Sequence, residues 1–200
     1  MPRALRPLVL ASGSVYRRQL LERLGLAFEC ARPDVDETPH SGERFERTAQ
    51  RLAELKASCV APRFPAALII GCDQVASCMG ERMDKPGGHA NAVKQLRHMS
   101  GRITRFDTAV CVLDAASGRL VARSVPCEVR FRELSDAMIE QYLRREQPYD
   151  CAGSAKAEGL GISLIASMRT DDPTSLVGLP LIALTDLLSE LGQPVLDELR

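Results

Sequence analysis

The chain contains no tryptophan, and aromatic residues make up only 4% of its 200 residues. It also has no excess of charge, because 26 Lys and Arg balance 26 Asp and Glu. A formal net charge of zero gives no bulk reason to expect nucleic-acid or membrane-surface binding, although it is compatible with a local basic pocket. No apolar run reaches the roughly 18 residues of a transmembrane helix, and the first apolar segment is too short for a signal peptide. We therefore expect a cytoplasmic enzyme or binding protein with no nucleic-acid or membrane partner.

Cysteine and histidine patterns that bind metals are missing as well. The seven cysteines are scattered, form no CxxC pair and lie mostly within apolar runs. Their odd number and scatter argue against a disulfide framework or a zinc site and favour free thiols that pack as small apolar side chains. His40, His89 and His98 have no partner at metal-ligand spacing, which argues against a histidine-based metal site.

A chain of this length is typical of one domain, which we expect to span residues 1–200. The hydrophobic pattern predicts strands at 7–11, 28–31, 66–72, 75–79, 103–113, 119–132 and 162–168, and helices at 14–24, 42–61, 88–99, 135–145 and 174–191. Strands mix with helices throughout, and two long strands flank a turn in mid-chain. This arrangement predicts an α/β fold with a mixed sheet.

Asp73 follows a short apolar run that begins at Ala66 and ends at Cys72. A run of this kind predicts a strand buried on both faces, and open α/β sheets bind ligands at the carboxyl ends of such strands. The alternative is that Asp73 only caps the next turn. Because burial of an unpaired carboxylate would cost several kcal/mol, we expect Asp73 to meet water, a cation or a substrate.

Small residues at Ser12, Gly13 and Ser14 separate the first strand from the first helix, so that free N–H groups point out of the helix N-terminus. Arg17 and Arg18 lie in the first turn, where cations oppose the helix macrodipole by a few tenths to about 1 kcal/mol. A bound anion would reverse the sign of this effect. We expect Arg17 to contact phosphate and Arg18 to pair with a surface carboxylate.

Two lysines have open interpretations. Lys56 falls on the apolar stripe of its helix, so its ammonium either extends to the surface or meets a buried anionic ligand. Lys85 lies in a Pro-Gly turn, where it is either a solvated charge or a phosphate ligand. Cations and amides suit a polyphosphate, and the carboxylates of Asp36, Glu37 and Asp73 suit Mg²⁺ and water activation. The combination predicts hydrolysis of a phosphate anhydride, and the absence of Walker and dinucleotide fingerprints argues against a kinase or a Rossmann dehydrogenase.

The order of these motifs resembles that of the Maf family of nucleoside triphosphate pyrophosphatases. The resemblance covers residues 8–191 and rests on Leu10-Ala11-Ser12-Gly13-Ser14-x-x-Arg17-Arg18, Asp36-Glu37-Thr38, the helix with Lys56, Gly71-Cys72-Asp73-Gln74 and Lys85-Pro86. The closing segments, 151–161 and 174–181, look like the branch that acts on 7-methyl-GTP and differ from the dTTP/UTP branch.

The resemblance implies a fold like that of inosine triphosphate pyrophosphatases, with a long twisted mixed sheet flanked by helices and two lobes around a central cleft. It implies cleavage of a nucleoside triphosphate to the monophosphate and pyrophosphate with a divalent metal, Mg²⁺, Mn²⁺ or Co²⁺. The expected partner is a small-molecule nucleotide, and a homodimer is an open possibility. The residue roles carried over are Asp73 as general base, Glu37 and Asp73 for the metal, Ser12, Arg17, Lys56 and Lys85 for phosphates, and Tyr16, Gln74 and Glu158 for specificity.

The three specificity positions suit a methylated guanine, because N7-methylation makes the base cationic. Tyr16 can stack on the ring with a cation–π contribution of about 0.5–2 kcal/mol. Glu158 can accept hydrogen bonds from the guanine N–H groups, and Gln74 can donate or accept. The alternatives are plain packing for Tyr16 and a turn carboxylate for Glu158.

The chain departs from the family pattern at three positions. Tyr16 stands where family members often have Trp, Cys72 replaces the more usual Ser, and Asp84 brings a negative charge next to Lys85. Two rival functions follow from the resemblance. One is a pyrophosphatase for dTTP and UTP, and the other is a nucleotide-binding regulator of cell division that needs no turnover.

Overall fold

The computed structural model describes residues 5–198. Its strands are β1 (Leu8–Leu10), β2 (Phe28–Cys30), β3 (Leu68–Cys78), β4 (Glu81–Arg82), β5 (Ile103–Asp114), β6 (Leu120–Phe131) and β7 (Ile165–Arg169). Its α-helices are α1 (Val15–Glu22), α2 (Phe45–Val60), α3 (His89–Met99), α4 (Asp136–Glu146), α5 (Leu181–Glu190) and α6 (Val195–Glu198). Short 3₁₀ turns lie at Ala61–Arg63, Ala152–Ser154, Leu160–Leu164 and Pro173–Ser175.

All seven strands form one sheet in the order β2-β1-β3-β5-β6-β7, with β4 beside the end of β3. β1 runs parallel to β2 and β3, whereas the other neighbouring pairs are antiparallel. The prediction of a mixed sheet with a long hairpin in mid-chain is therefore confirmed.

The predicted strands at 66–72 and 75–79 are in fact the single strand β3, so the prediction that Asp73 closes a strand is wrong. Asp73 lies in mid-strand, opposite Ala109 of β5. Polar residues are tolerated there because β1 pairs with β3 only as far as Ile70. Beyond that point the edge of β3 borders an open cleft, which gives Asp73 the access that a strand end would have provided.

The last predicted helix, 174–191, also begins later than expected, at Leu181. Gly178, at φ +116°, and Pro180, in extended conformation, interrupt helical geometry before it. The buried carboxylate of Asp172 accepts hydrogen bonds from the second and third amides of α5, those of Ile182 and Ala183. The long connection is thereby fixed beside the cleft.

The helices pack on the sheet in three groups that define two lobes. α1 and α5 cover one face of the first lobe, and the alanine-rich face of α2 covers the other. α3 and α4 cover the end of the sheet formed by the later parts of β3 and β6 and the first part of β5. The cleft lies between these lobes, as the resemblance implies.

All seven cysteines are free, as predicted, but Cys30 and Cys59 are exposed instead of packed in the core. Cys30 is the last residue of the edge strand β2, and Cys59 lies in the last turn of α2, outside the buried face of that helix. Over the described residues 5–198, every helix is too short or too polar to cross a membrane.

Candidate active site

A cleft of about 1720 Å³ opens where β1 ends and β3 continues. Small-molecule sites commonly occupy about 300–1,000 Å³, so this cleft has room for a nucleoside triphosphate. The structure brings all of the residues predicted for the site to its walls: Ser12, Tyr16, Arg17, Glu37, Lys56, Asp73, Gln74, Lys85 and Glu158.

Lys56 links the two carboxylates at the centre of the cleft. Its Nζ lies 2.6 Å from Asp73 Oδ1 and 2.9 Å from Glu37 Oε1. The side chains of Lys56 and Asp73 are 6% and 8% exposed, so this ammonium does not extend to the surface. The open question about Lys56 is thus answered in favour of an inward charge that is compensated by carboxylates.

Gly71 allows α2 to approach β3 closely enough for this contact. A Cβ atom at Gly71 would clash with the Ala53 carbonyl oxygen and lie 2.9 Å from Cys111 Sγ. Ala57, one turn beyond Ala53, would also be only 3.0 Å away. Small residues on both elements therefore set the distance between Lys56 and Asp73.

The pair Glu37 and Asp73 suits a hard divalent cation. Both carboxylates contact the same ammonium, which places their oxygens near each other in the cleft. Burial raises the pKa of Glu37, but the hydrogen bond and charge of Lys56 outweigh burial and hold this pKa below its usual value. Mg²⁺ is usually held by one or two carboxylates together with water and substrate phosphates. Within the described part of the chain, no cluster of three or more His, Cys, Asp or Glu is available as a closed metal cage.

The turn before α1 lines the cleft and leads into a capped helix N-terminus. Ser12 Oγ accepts from the Ser14 amide at 3.1 Å, and Ser14 Oγ caps α1 by accepting from the Arg17 amide at 3.4 Å. Arg17 Nε donates to the Gly178 carbonyl oxygen at 2.9 Å. Arg18 instead pairs with Glu22 on the surface, as expected.

Lys85 lies in the cleft near enough to Glu37 for its charge to lower the pKa of that carboxyl. Neither Lys85 nor Arg17 forms an ion pair with any residue between positions 5 and 198. Asp84, whose charge was expected to affect Lys85, pairs with Arg82 at 2.6 Å. The charge of Lys85 is therefore available to a ligand.

Gln74 faces the opposite side of β3 from Asp73. Its Nε2 donates to the Ser175 carbonyl oxygen at 2.8 Å and to Thr108 Oγ1 at 2.9 Å. These bonds orient the side-chain amide and leave its carbonyl oxygen as the group that can accept from a ligand.

Tyr16 and Glu158 also line the cleft, close to further charged residues. The Tyr16 hydroxyl donates to both carboxylate oxygens of Asp150, each at 3.3 Å. Lys156 Nζ lies 5.7 Å from the centre of the Tyr16 ring and 2.9 Å from Glu146 Oε1. Burial, and next the neighbouring charges of Glu146 and Asp150, raise the pKa of Glu158 against the opposing effect of Lys156.

Sequence reasoning did not assign a role to Arg32 or Asp150, which also line the cleft. The side chain of Arg32 lies along Gly13, with Cγ and Cδ 3.8 Å from the position of a Cβ there. Both residues are exposed and lie in loops, where hydrophobic periodicity gives no signal. The nearest clue was position, because Asp150 directly precedes the 151–161 motif.

A family model described as Maf-like protein matches residues 7–191. The chain is 55% identical over 190 residues to a Methylobacillus flagellatus protein named 7-methyl-GTP pyrophosphatase, which covers 95% of this chain and 99% of that one. A protein of the same name from Cupriavidus pinatubonensis is 54% identical, with 94% of each chain covered. One from Aromatoleum aromaticum is 56% identical, with 92% of this chain and 95% of the relative covered. By its sequence and by the cleft in its mixed sheet, the chain belongs to the Maf family.

Proposed function

We propose that this protein hydrolyses 7-methyl-GTP to 7-methyl-GMP and pyrophosphate. The observation that carries the proposal is a cleft that is lined by the N-terminus of α1, by the cations Arg17 and Lys85, by the ion-paired Asp73, and by Tyr16 with nearby acidic residues. The relatives named 7-methyl-GTP pyrophosphatase support the choice of substrate.

In this proposal the triphosphate is bound by cations and backbone N–H groups that line the cleft. Arg17 and Lys85 provide charges without carboxylate partners among the described residues, and the capped N-terminus of α1 provides backbone N–H groups. Charge-assisted hydrogen bonds of this kind are roughly twice as strong as neutral ones, and they fix the position of the anhydride.

Asp73 is the general base in this proposal. Its carboxylate accepts a proton from water, the water oxygen bonds to a phosphorus atom of the α–β anhydride, and the bond from that phosphorus to the bridging oxygen breaks. The bridging oxygen keeps the electron pair. Lys56, 2.6 Å from Asp73, holds the carboxylate in position and places a positive charge beside the reacting phosphates.

A divalent metal, Mg²⁺, Mn²⁺ or Co²⁺, is part of the proposal. Glu37 and Asp73 would hold it, and it would neutralise charge on the phosphate oxygens. Glu37 is suited to this role because its side chain is 57% exposed in the cleft and can reach both a cation and water.

A nucleotide panel tests the proposal. Purified protein with each metal should release pyrophosphate from 7-methyl-GTP with a higher kcat/KM than from GTP, dTTP or UTP. A preference for dTTP and UTP would assign the chain to that activity. If Asp73→Asn abolished turnover but kept a full effect on cell division, the protein would act as a nucleotide-binding regulator.

A further inference from the structure

Carboxylates lie close to Tyr16 in the cleft. Asp150 is in contact with the Tyr16 hydroxyl, and its charge also acts on Glu158. Lys156 lies over the Tyr16 ring, but Glu146 compensates its charge at 2.9 Å. Neither Asp150 nor Glu158 forms an ion pair with any residue between positions 5 and 198, so the carboxylates leave negative charge near the ring.

Asp150 is also one of the residues that contact the Tyr16 hydroxyl. Tyr16 belongs to α1 in one lobe, and Asp150 lies 134 residues later, in the loop that follows α4 in the other lobe. The hydroxyl is the same distance, 3.3 Å, from both carboxylate oxygens. The contact therefore joins the two walls of the cleft at the ring on which a base would stack.

We propose that Asp150 is a positioning and specificity residue, which holds Tyr16 through its hydroxyl and favours a cationic base over a neutral one. This inference rests on the proposed function, because it assigns a role to a residue beside Tyr16, on which the base of the nucleotide would stack. GTP and 7-methyl-GTP carry the same triphosphate, so the contacts of Arg17 and Lys85 cancel in the ratio of their kcat/KM values. What differs is the methyl group and the positive charge that it creates.

Because Asp150 is exposed, its charge acts through water, and this sets the expected change in the ratio of the two kcat/KM values. A charge pair about 4 Å apart in water corresponds to roughly a fivefold change in binding. We therefore expect Asp150→Asn to lower the ratio of kcat/KM for 7-methyl-GTP over GTP about fivefold, mostly through KM for the methylated substrate. Asn keeps an oxygen that can accept from the Tyr16 hydroxyl, so this variant isolates the charge.

The experiment compares four proteins: the wild type, Asp150→Asn, Asp150→Glu and Asp186→Asn. Asp150→Glu keeps the charge and should retain most of the ratio. Asp186→Asn removes one exposed carboxylate from α5, outside the cleft, and should leave the ratio unchanged. Thermal unfolding of each protein checks that the fold is intact.

Two results would overturn the inference. One is a ratio that stays within twofold of the wild type in Asp150→Asn, and the other is an equal loss in Asp150→Asn and Asp150→Glu, which would indicate a purely structural role. Failure of the proposed function would be distinct, because the wild type itself would then hydrolyse neither nucleotide or would not prefer 7-methyl-GTP.

Discussion

Lys56 and Asp73 form an ion pair between α2 and β3 that is almost entirely removed from solvent. Desolvation makes such a pair costly to form, and loss of one partner leaves the other as an uncompensated charge. Glu37 gives Lys56 a second contact but is more than half exposed, so it can follow a ligand without burying a new charge. The geometry therefore combines one rigid carboxylate with one adaptable carboxylate.

A double-mutant cycle tests this pair. Lys56→Met should lower the free energy of unfolding by about 3 kcal/mol, because it leaves Asp73 without its cation. Adding Asp73→Asn should recover part of the loss, since the remaining group is then neutral. Urea unfolding of the wild type, both single variants and the double variant gives the coupling energy. Purely additive losses would contradict the role of the ion pair.

For Arg32 we predict an equal effect on both nucleotides, whereas Asp150 is expected to change the ratio between them. Its side chain lies against Gly13 of the phosphate turn, so we expect it to contact the triphosphate. Arg32→Ala should raise KM for GTP and 7-methyl-GTP by the same factor, about three- to tenfold, and leave their ratio unchanged. Steady-state kinetics measure this, with Arg145→Ala on the exposed side of α4 as the control. A change restricted to one nucleotide would place Arg32 at the base instead.

At the residue scale, sequence reasoning found which side chains meet but not how they pair. Lys56 was identified because a cation on an apolar stripe breaks a local rule. Its contact with Asp73 depends on the distance between α2 and β3, which no local pattern contains. The pairing of Asp84 with Arg82 instead of Lys85 was likewise not predictable, because it depends on side-chain geometry within one turn.

At the element scale, the contact between α2 and β3 depends on Gly71. The buried alanines of α2 present a flat surface, and Gly71 provides the space that it needs. Because α2 also carries Lys56, any displacement of the helix would move the ammonium away from Asp73. The absence of a side chain at Gly71 therefore affects both the packing of α2 and the position of Lys56.

Gly71→Ala should therefore destabilise the protein by about 1–3 kcal/mol through overpacking. It should also lower kcat more than it changes KM, because Asp73 and Lys56 would lose their relative position. Gly88→Ala is the control for an added methyl group, since its φ of −169° is accessible to alanine and a Cβ there meets nothing within 4 Å. Because Gly88 is the N-cap of α3, this control should lose about 1 kcal/mol of stability or less and keep its kcat. Chemical denaturation and steady-state kinetics check both variants. Wild-type behaviour of Gly71→Ala would show that α2 can move without consequence.

The helices and strands were largely predictable because their hydrophobic periodicity is local. The error at β3 came from a non-local cause. Asp73 and Gln74 interrupt the apolar run, and a strand end is the simplest local explanation. In the structure it is the neighbouring strand, β1, that ends, opposite Ile70. β3 continues beyond this point with one edge open. The length of a partner strand is not encoded in the sequence of β3.

At the scale of the whole molecule, the three core clusters share β3 and β5. Neither lobe therefore has a hydrophobic core that is independent of the other. The single domain over 1–200 stays a prediction of the sequence, as do the cytoplasmic location and the homodimer.

A single cooperative unfolding transition is the expected consequence of the shared strands. Far-UV circular dichroism and differential scanning calorimetry should give coincident midpoints, and the calorimetric and van't Hoff enthalpies should agree. Two resolved transitions would show that the lobe with α3 and α4 unfolds separately. The measurement needs no ligand, so its outcome is independent of the proposed activity.

The neutral net charge of the chain conceals a cleft in which cations such as Arg17 and Lys85 and carboxylates near Tyr16 are gathered together. Analysis of the products of 7-methyl-GTP by phosphorus NMR, with wild type and Asp73→Asn at equal concentration and Mg²⁺, Mn²⁺ or Co²⁺ present, tests the central claim most directly. We predict 7-methyl-GMP and pyrophosphate from the wild type and a loss of turnover by at least a hundredfold in a folded Asp73→Asn. Release of orthophosphate with 7-methyl-GDP, or full activity of Asp73→Asn, would contradict the account.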